Sequence, residues 1–303
     1  MDRIFALAPH AALLRLRATC RMHRDRVDAI LSHHLVLRCE HLPNSLVIHT
    51  AAEERRHPLL ARLCPEDAAD DRVERVAAAV EVLDLVFGFE VRHPIPSALF
   101  SATKTVRLIK TLGLMKWATF AFKADQTQTH VVFLDGFKDT PISRTRSVIH
   151  PSPSTTSSKV VFVITVDQDM LFRPMPFDYF PRTFQEVVLL FKRRHPGAPW
   201  DPAHAYGFAE QMGFAIMSAA SNWPDNERQM VRSITIVNSE AVPTPQGPES
   251  PVKHAVSMRV VVEELVDAFD IEGVTFSFLS LDEYERKVGT RQFFIEADPT
   301  YHL

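Results

Sequence analysis

Eight short runs of β-branched and aromatic residues punctuate the chain, at positions 46–48, 82–87, 106–109, 131–134, 160–164, 187–191, 234–237 and 274–278. Each is bounded by polar or proline-containing segments, the sequence pattern of strands. Several are apolar on both faces rather than at alternate positions. Such a strand must be covered on both sides, as in a parallel sheet flanked by helices. Counted centre to centre from Leu85, successive gaps are about 24, 25, 29, 27, 47 and 40 residues, room for a crossover each time. Strand, crossover and strand again implies a mostly parallel sheet with right-handed connections.

The two longest gaps each hold a helix. Asp201-Pro202 opens one, with Asp as N-cap and Pro at the first helical position, and Phe208, Met212, Ile216 and Ala219 line its face. Ser250-Pro251 opens the other, with Val256, Val260, Leu265 and Phe269 on or near its buried side. After the last run, Ser280-Leu281-Asp282-Glu283 has capping-box spacing and Gly289 is a natural terminator. The first four gaps fall near the period of leucine-rich repeats, about 20–29 residues, although the Leu-x-x-Leu-x-Leu-x-x-Asn ladder is absent. The expected fold is therefore α/β: a degenerate leucine-rich-repeat-like curved, mostly parallel sheet, with an ordinary open α/β sheet as the alternative.

Residues 12–31 read as an amphipathic helix. Leu13, Leu16, Cys20, His23, Val27 and Ile30 recur in alternating steps of three and four and form one stripe. Arg15, Arg17, Arg21, Arg24 and Arg26 lie mostly off it, the pattern of a solvated face. The short apolar element Ile4-Phe5-Ala6-Leu7 precedes it, with Pro9 between. The run Ile4-Phe5-x-Leu7, then Leu13-Leu14-Arg15-Leu16-Arg17-x-x-Cys20-Arg21-x-x-Arg24-Asp25, resembles the F-box. His23 stands where that family usually has a bulky aromatic, and the leucine-proline-x-glutamate opening does not occur.

The stretch 281–289 together with Phe293-Phe294-Ile295-Glu296-Ala297-Asp298-Pro299 is similar to the closing segment of F-box-like proteins of basidiomycete fungi. The resemblance implies a helical module over residues 1–38 and a repeat-like α/β domain over 39–303. It also implies an intracellular substrate-recognition adaptor of a Skp–cullin–F-box-type ubiquitin ligase. Ile4, Phe5, Leu7, Leu13, Leu14, Leu16, Cys20 and Val27 would face the Skp-type adaptor, and the sheet would hold an unknown protein substrate. A scaffold whose box no longer binds the adaptor is the alternative. No catalytic residue is required in either case.

Composition narrows the rest. Glycine is scarce, nine residues, and neither G-x-G-x-x-G nor G-x-x-x-x-G-K-[ST] occurs, which argues against phosphate-cradling loops. A formal net charge of −3 gives no electrostatic reason to expect nucleic acid. No apolar run reaches the roughly 18–20 residues of a membrane span. The three cysteines, Cys20, Cys39 and Cys64, form no C-x-x-C pair and fit a reducing compartment, cytoplasm or nucleus.

His33, His34, His41 and His49 lack zinc-site spacing, so neither metal nor cofactor is expected. The one enzymatic pattern is Asp167-Gln168-Asp169 after a strand, which could hold Mg²⁺ in a phosphohydrolase. Residues 141–158 and 241–251, rich in Ser, Thr and Pro, read as exposed loops.

Overall fold

The computed structural model describes residues 10–19, 21–39, 46–50, 60–63, 71–86, 100–109, 129–135, 159–166, 184–194, 231–242, 258–268, 271 and 273–301. Helices α1 (His10–Thr19) and α2 (Arg21–Leu31) come first. Strands β1 (His34–Cys39), β2 (Leu46–Thr50) and β3 (Leu60–Leu63) follow, then α3 (Asp71–Ala77) and β4 (Val82–Val86). Next come β5 (Thr105–Ile109), β6 (Thr129–Asp135), β7 (Lys159–Val166), β8 (Glu186–Arg193) and β9 (Ser233–Val237). After a 3-10 turn at Ser239–Ala241, α4 (Met258–Ala268), β10 (Thr275–Leu279), α5 (Leu281–Val288) and α6 (Thr290–Ala297) complete the order.

The strands form one open sheet in the order β10-β9-β8-β7-β6-β5-β4-β1-β2-β3. From β10 to β1 every pairing is parallel, while β2 and β3 extend the β1 edge antiparallel. This is an ordinary open α/β sheet, the alternative weighed from the sequence. The leucine-rich-repeat-like curved sheet is corrected. A period of about 20–29 residues shows only that strand and crossover alternate, which any sequentially wound parallel sheet shares. The consensus ladder that would have set the repeat apart is absent.

The winding order dictates how the two faces are covered. When each parallel strand is added on the same side of the last, right-handed crossovers all fall on one face. The contacts agree with this. Val76 and Ala77 of α3, Met258 and Val262 of α4, and the connector residues Phe100, Phe184, Val231 and Val242 pack into a single core. That core includes Leu83, Leu85, Val106, Val160, Ile164, Val187, Leu189 and Ile236, the first face of the strands. The alternate residues Val131, Phe133, Val161, Val163, Val188, Leu190 and Val237 look the other way. They are covered by Tyr284 of α5 and Ala297 of α6, with Leu281, Val288 and Phe293 packed alongside. Among the described residues, the second face is thus covered by the C-terminal helix pair.

Local signals place these elements well. Seven of the expected runs become β4 to β10, and the run 46–48 becomes β2. The capping box forms as read: the Ser280 hydroxyl accepts from the Glu283 backbone N–H while the Glu283 carboxylate accepts from the Ser280 N–H, and Gly289, at φ 86°, ends α5. Ser280→Ala is expected to lower stability by about 1 kcal/mol, read as a shift in the urea midpoint at unchanged slope.

In α4, however, Val260 is exposed, and the buried side carries Met258 and Val262 with Leu265 and Val266 half-buried. Val256 and Phe269 lie outside the described residues, as do the 201–219 helix and the loop 141–158. Of the second expected loop, Ala241 and Val242 are instead buried in the core.

At the N-terminus the single helix expected over 12–31 corresponds to two elements, α1 and α2, in contact with each other. Its stripe is real: Leu13 and Val27 are buried, Leu16, His23 and Ile30 half-buried, and Arg15, Arg24 and Arg26 exposed. The chain then passes directly into β1, whose residues 34–38 pair in register with β4. Residue 38, where the sequence reading ends its helical module, lies inside a strand of the main sheet. Among the described residues no F-box module is recognisable.

Candidate functional site

The most unusual chemistry of the molecule lies on the second face, where charged residues interrupt apolar strands. In β4, alternation sends Leu83 and Leu85 to the first core and Asp84 to the opposite face. Arg107 occupies the equivalent place in β5, and the parallel register sets Asp84 directly beside it. The guanidinium is bidentate: Nε donates to Asp84 Oδ1 at 2.6 Å and Nη2 to Oδ2 at 2.7 Å. His34 of β1 brings Nε2 to 3.0 Å from the same Oδ2. All three side chains are almost completely buried.

Arg107 does more than neutralise Asp84. Its Nη1 donates to the carbonyls of Ile295 (3.2 Å) and Asp298 (3.0 Å), and Nη2 to those of Pro299 (3.4 Å) and Tyr301 (3.3 Å). Helix ends leave carbonyls without intrahelical partners and carry partial negative charge. One buried arginine therefore holds the end of α6 and the turn after it against the sheet. Phe133 lies under the guanidinium, 5.7 Å from its ring centre.

A second cluster adjoins it. Lys159, at the start of β7, donates to both oxygens of Glu296 at 2.8 and 3.0 Å. Gln292 donates to Glu296 Oε1 at 2.8 Å, and the Tyr284 hydroxyl donates to Oε2. Glu296 is fully buried. Lys192 of β8 donates to the Ala297 carbonyl. At the rim, Glu81 meets Lys104 at 3.1 Å and Arg291 of α6 at 3.3 Å.

The protonation states follow from these surroundings. Burial pushes the Asp84 carboxyl up, but hydrogen bonds and charge from His34 and Arg107 outweigh it and leave it below the usual carboxylate range. Burial, the Glu296 charge and the hydrogen bond to Glu296 all push the Tyr284 hydroxyl upward, so it stays protonated. Asp298 ends lowered: desolvation raises it, but bonds from Thr300 and the charges of Lys192 and Arg107 prevail. On the first face, burial pushes His130 down to about 4, with its ring edge-on to Phe184.

The sign of the acid response is therefore fixed. Asp84 and Asp298 both have lowered folded-state values, so their stabilisation is present above the ordinary carboxylate range and is lost as pH falls through those values. His130 acts in the same direction, because between its ordinary range and about 4 the ring takes up a proton only once it is released from burial. Urea titrations between about pH 7 and pH 3 should show the midpoint falling continuously, with no gain of stability on acidification.

The residues named from the sequence sit elsewhere. Leu13 and Val27 are buried and Leu16 half-buried, while Leu14 lies within α1. Ile4, Phe5, Leu7 and Cys20 lie outside the described residues, as do Asp167, Asp169 and His41. Among the described residues, no group of three His, Cys, Asp or Glu side chains is placed to hold a metal. Also among them, no helix is long and apolar enough to cross a membrane.

No family model matches the chain, and neither a curated protein nor a solved structure matches it. The ubiquitin-ligase adaptor reading, with or without a working box, is withdrawn: no F-box-type module is recognisable among the described residues and no relative supports it. The phosphohydrolase reading is withdrawn with it: among the described residues no site for its metal is formed.

Proposed function

We propose that the described second face of this chain is a structural, non-catalytic scaffold. One observation supports this reading above the others: the buried ionisable groups of the second face are spent on one another and on fastening the C-terminal segment. General acid–base chemistry needs a group that changes protonation within reach of a substrate. Here Asp84 is held ionised by Arg107 and His34, and Tyr284 is held protonated against Glu296. Each is covered by protein, and their partners are strands and helix ends.

The test is turnover of a panel of generic p-nitrophenyl esters and phosphates by the full chain, alongside Asp84→Asn and Glu296→Gln. The scaffold reading expects all three proteins to match buffer. Turnover by the parent that either substitution abolishes, with the circular dichroism spectrum retained, would overturn it.

A further inference from the structure

The C-terminal segment closes the second face, yet its manner of attachment differs from that of every strand beneath it. Among the described residues, its backbone hydrogen bonds outside the helical ladders close within the segment: Tyr284 to Ser280, Gly289 to Glu285, Phe293 to Gly289, Asp298 to Phe294 and Tyr301 to Asp298. What joins it to the sheet is side-chain chemistry. Arg107, Lys159 and Lys192 reach out from three strands to the carbonyls and the single buried carboxylate of α6.

Its aromatic residues also pack among themselves. Phe293 stands edge-on to Tyr284 and to Phe294, and Phe294 stacks on Tyr301 at 5.4 Å. Among the described elements no strand follows β10, so lifting residues 280–301 breaks no described strand pairing. Helices α5 and α6 have eight residues each, too short to persist in water without their packing.

We propose that residues 280–301 form a charge-clasped strap that opens as one cooperative unit while the parallel sheet stays folded, with Arg107 as its clasp and Asp84 as the residue that positions the clasp. In the closed state Arg107 needs Asp84 to hold its fork toward the α6 carbonyls. In the open state the Asp84–Arg107 pair is hydrated and persists, and the apolar patch around Val131, Phe133, Val161, Val163 and Leu190 is uncovered. Acid favours opening. The groups facing the interface are His34, Glu81, Asp84, Arg107, Lys159, Glu186 and Lys192 from the sheet and Arg291, Glu296 and Asp298 from the strap. Opening takes the Asp298 carboxyl away from the charges of Lys192 and Arg107 that help hold it below its ordinary range, whereas Asp84 keeps Arg107 and His34 in either state.

The experiment is native-state hydrogen exchange by mass spectrometry on the full chain, across sub-denaturing urea, for the parent and for Arg107→Met. In the parent, amides of 281–297 should exchange through an opening with a shallower urea dependence than amides of β7 and β8, and faster by roughly tenfold or more. In Arg107→Met the closed strap buries an Asp84 that has lost its strongest partner and keeps His34. Strap exchange should then rise by roughly a hundredfold or more while β7 and β8 stay protected, with dye binding to the uncovered patch. Should Arg107→Met fail to fold, the parent measurement decides alone. Strap and sheet amides sharing one rate and one urea slope in the parent would overturn the proposal.

Discussion

Arg107→Met is expected to lower the stability of the chain by about 3–5 kcal/mol, measured as a fall in the urea midpoint and in Tm. Two losses combine. The substitution leaves Asp84 charged in a site it shares only with His34, and a buried carboxylate without its strongest partner carries most of its desolvation cost uncompensated. It also removes the donors to four carbonyls at the end of α6, at Ile295, Asp298, Pro299 and Tyr301. Asp84→Leu combined with Arg107→Met separates the two. A buried ion pair replaced whole by apolar groups of similar size is often neutral, so the double variant should recover the first loss and keep the second. A double variant no more stable than Arg107→Met would mean that the carbonyls, not the carboxylate, carry the cost.

Glu296→Ala is expected to cost about 3 kcal/mol, near the low end for breaking a buried pair, because Lys159 retains some contact with water. Glu296 gathers three donors from separate elements: Lys159 from β7, Tyr284 from α5 and Gln292 from its own helix. Removing it strands all three. Tyr284→Phe, which deletes one donor and keeps the ring in the core, should cost only about 1–2 kcal/mol. The comparison checks the arrangement: equal losses in the two variants would mean that the hydroxyl, not the lysine, is the main partner of the carboxylate.

Much of the fold could be read from the chain because strand formation here is a local matter. Runs such as 160–164 and 187–191 are dense in β-branched and aromatic residues, and they form β7 and β8 almost where the composition begins and ends. The Ser280–Glu283 box is equally local, since three residues' spacing is enough to close both hydrogen bonds. Two strands escaped notice. His34–Cys39 follows a helix after only two residues, and Leu60–Leu63 is a four-residue edge strand containing Ala and Arg. In α4 the exposed Val260 shows the limit of periodicity alone, because several apolar residues in succession leave the buried face unspecified.

The candidate site was half visible. An aspartate inside 82–87 and an arginine inside 106–109 are charges within otherwise apolar strands, and charges buried in a sheet need partners. That signal lay in the sequence. What it lacked was the register. Some twenty residues separate Asp84 from Arg107, and Ile295 is far beyond both; only the pairing of β4 with β5 and the docking of α6 bring them together.

The sequence by itself thus determined eight of the strands, their parallel alternation with crossovers, and the cap that starts the last helix pair, because each follows from residues near one another in the chain. Tertiary structure alone decided that the sheet is one open sheet rather than a curved repeat, and that its second face is closed by residues 280–301. It also decided that Asp84, Arg107, Lys159 and Glu296 meet beneath that segment. Those outcomes depend on strand order and register, and contacts between distant parts of a chain leave no periodic trace in it.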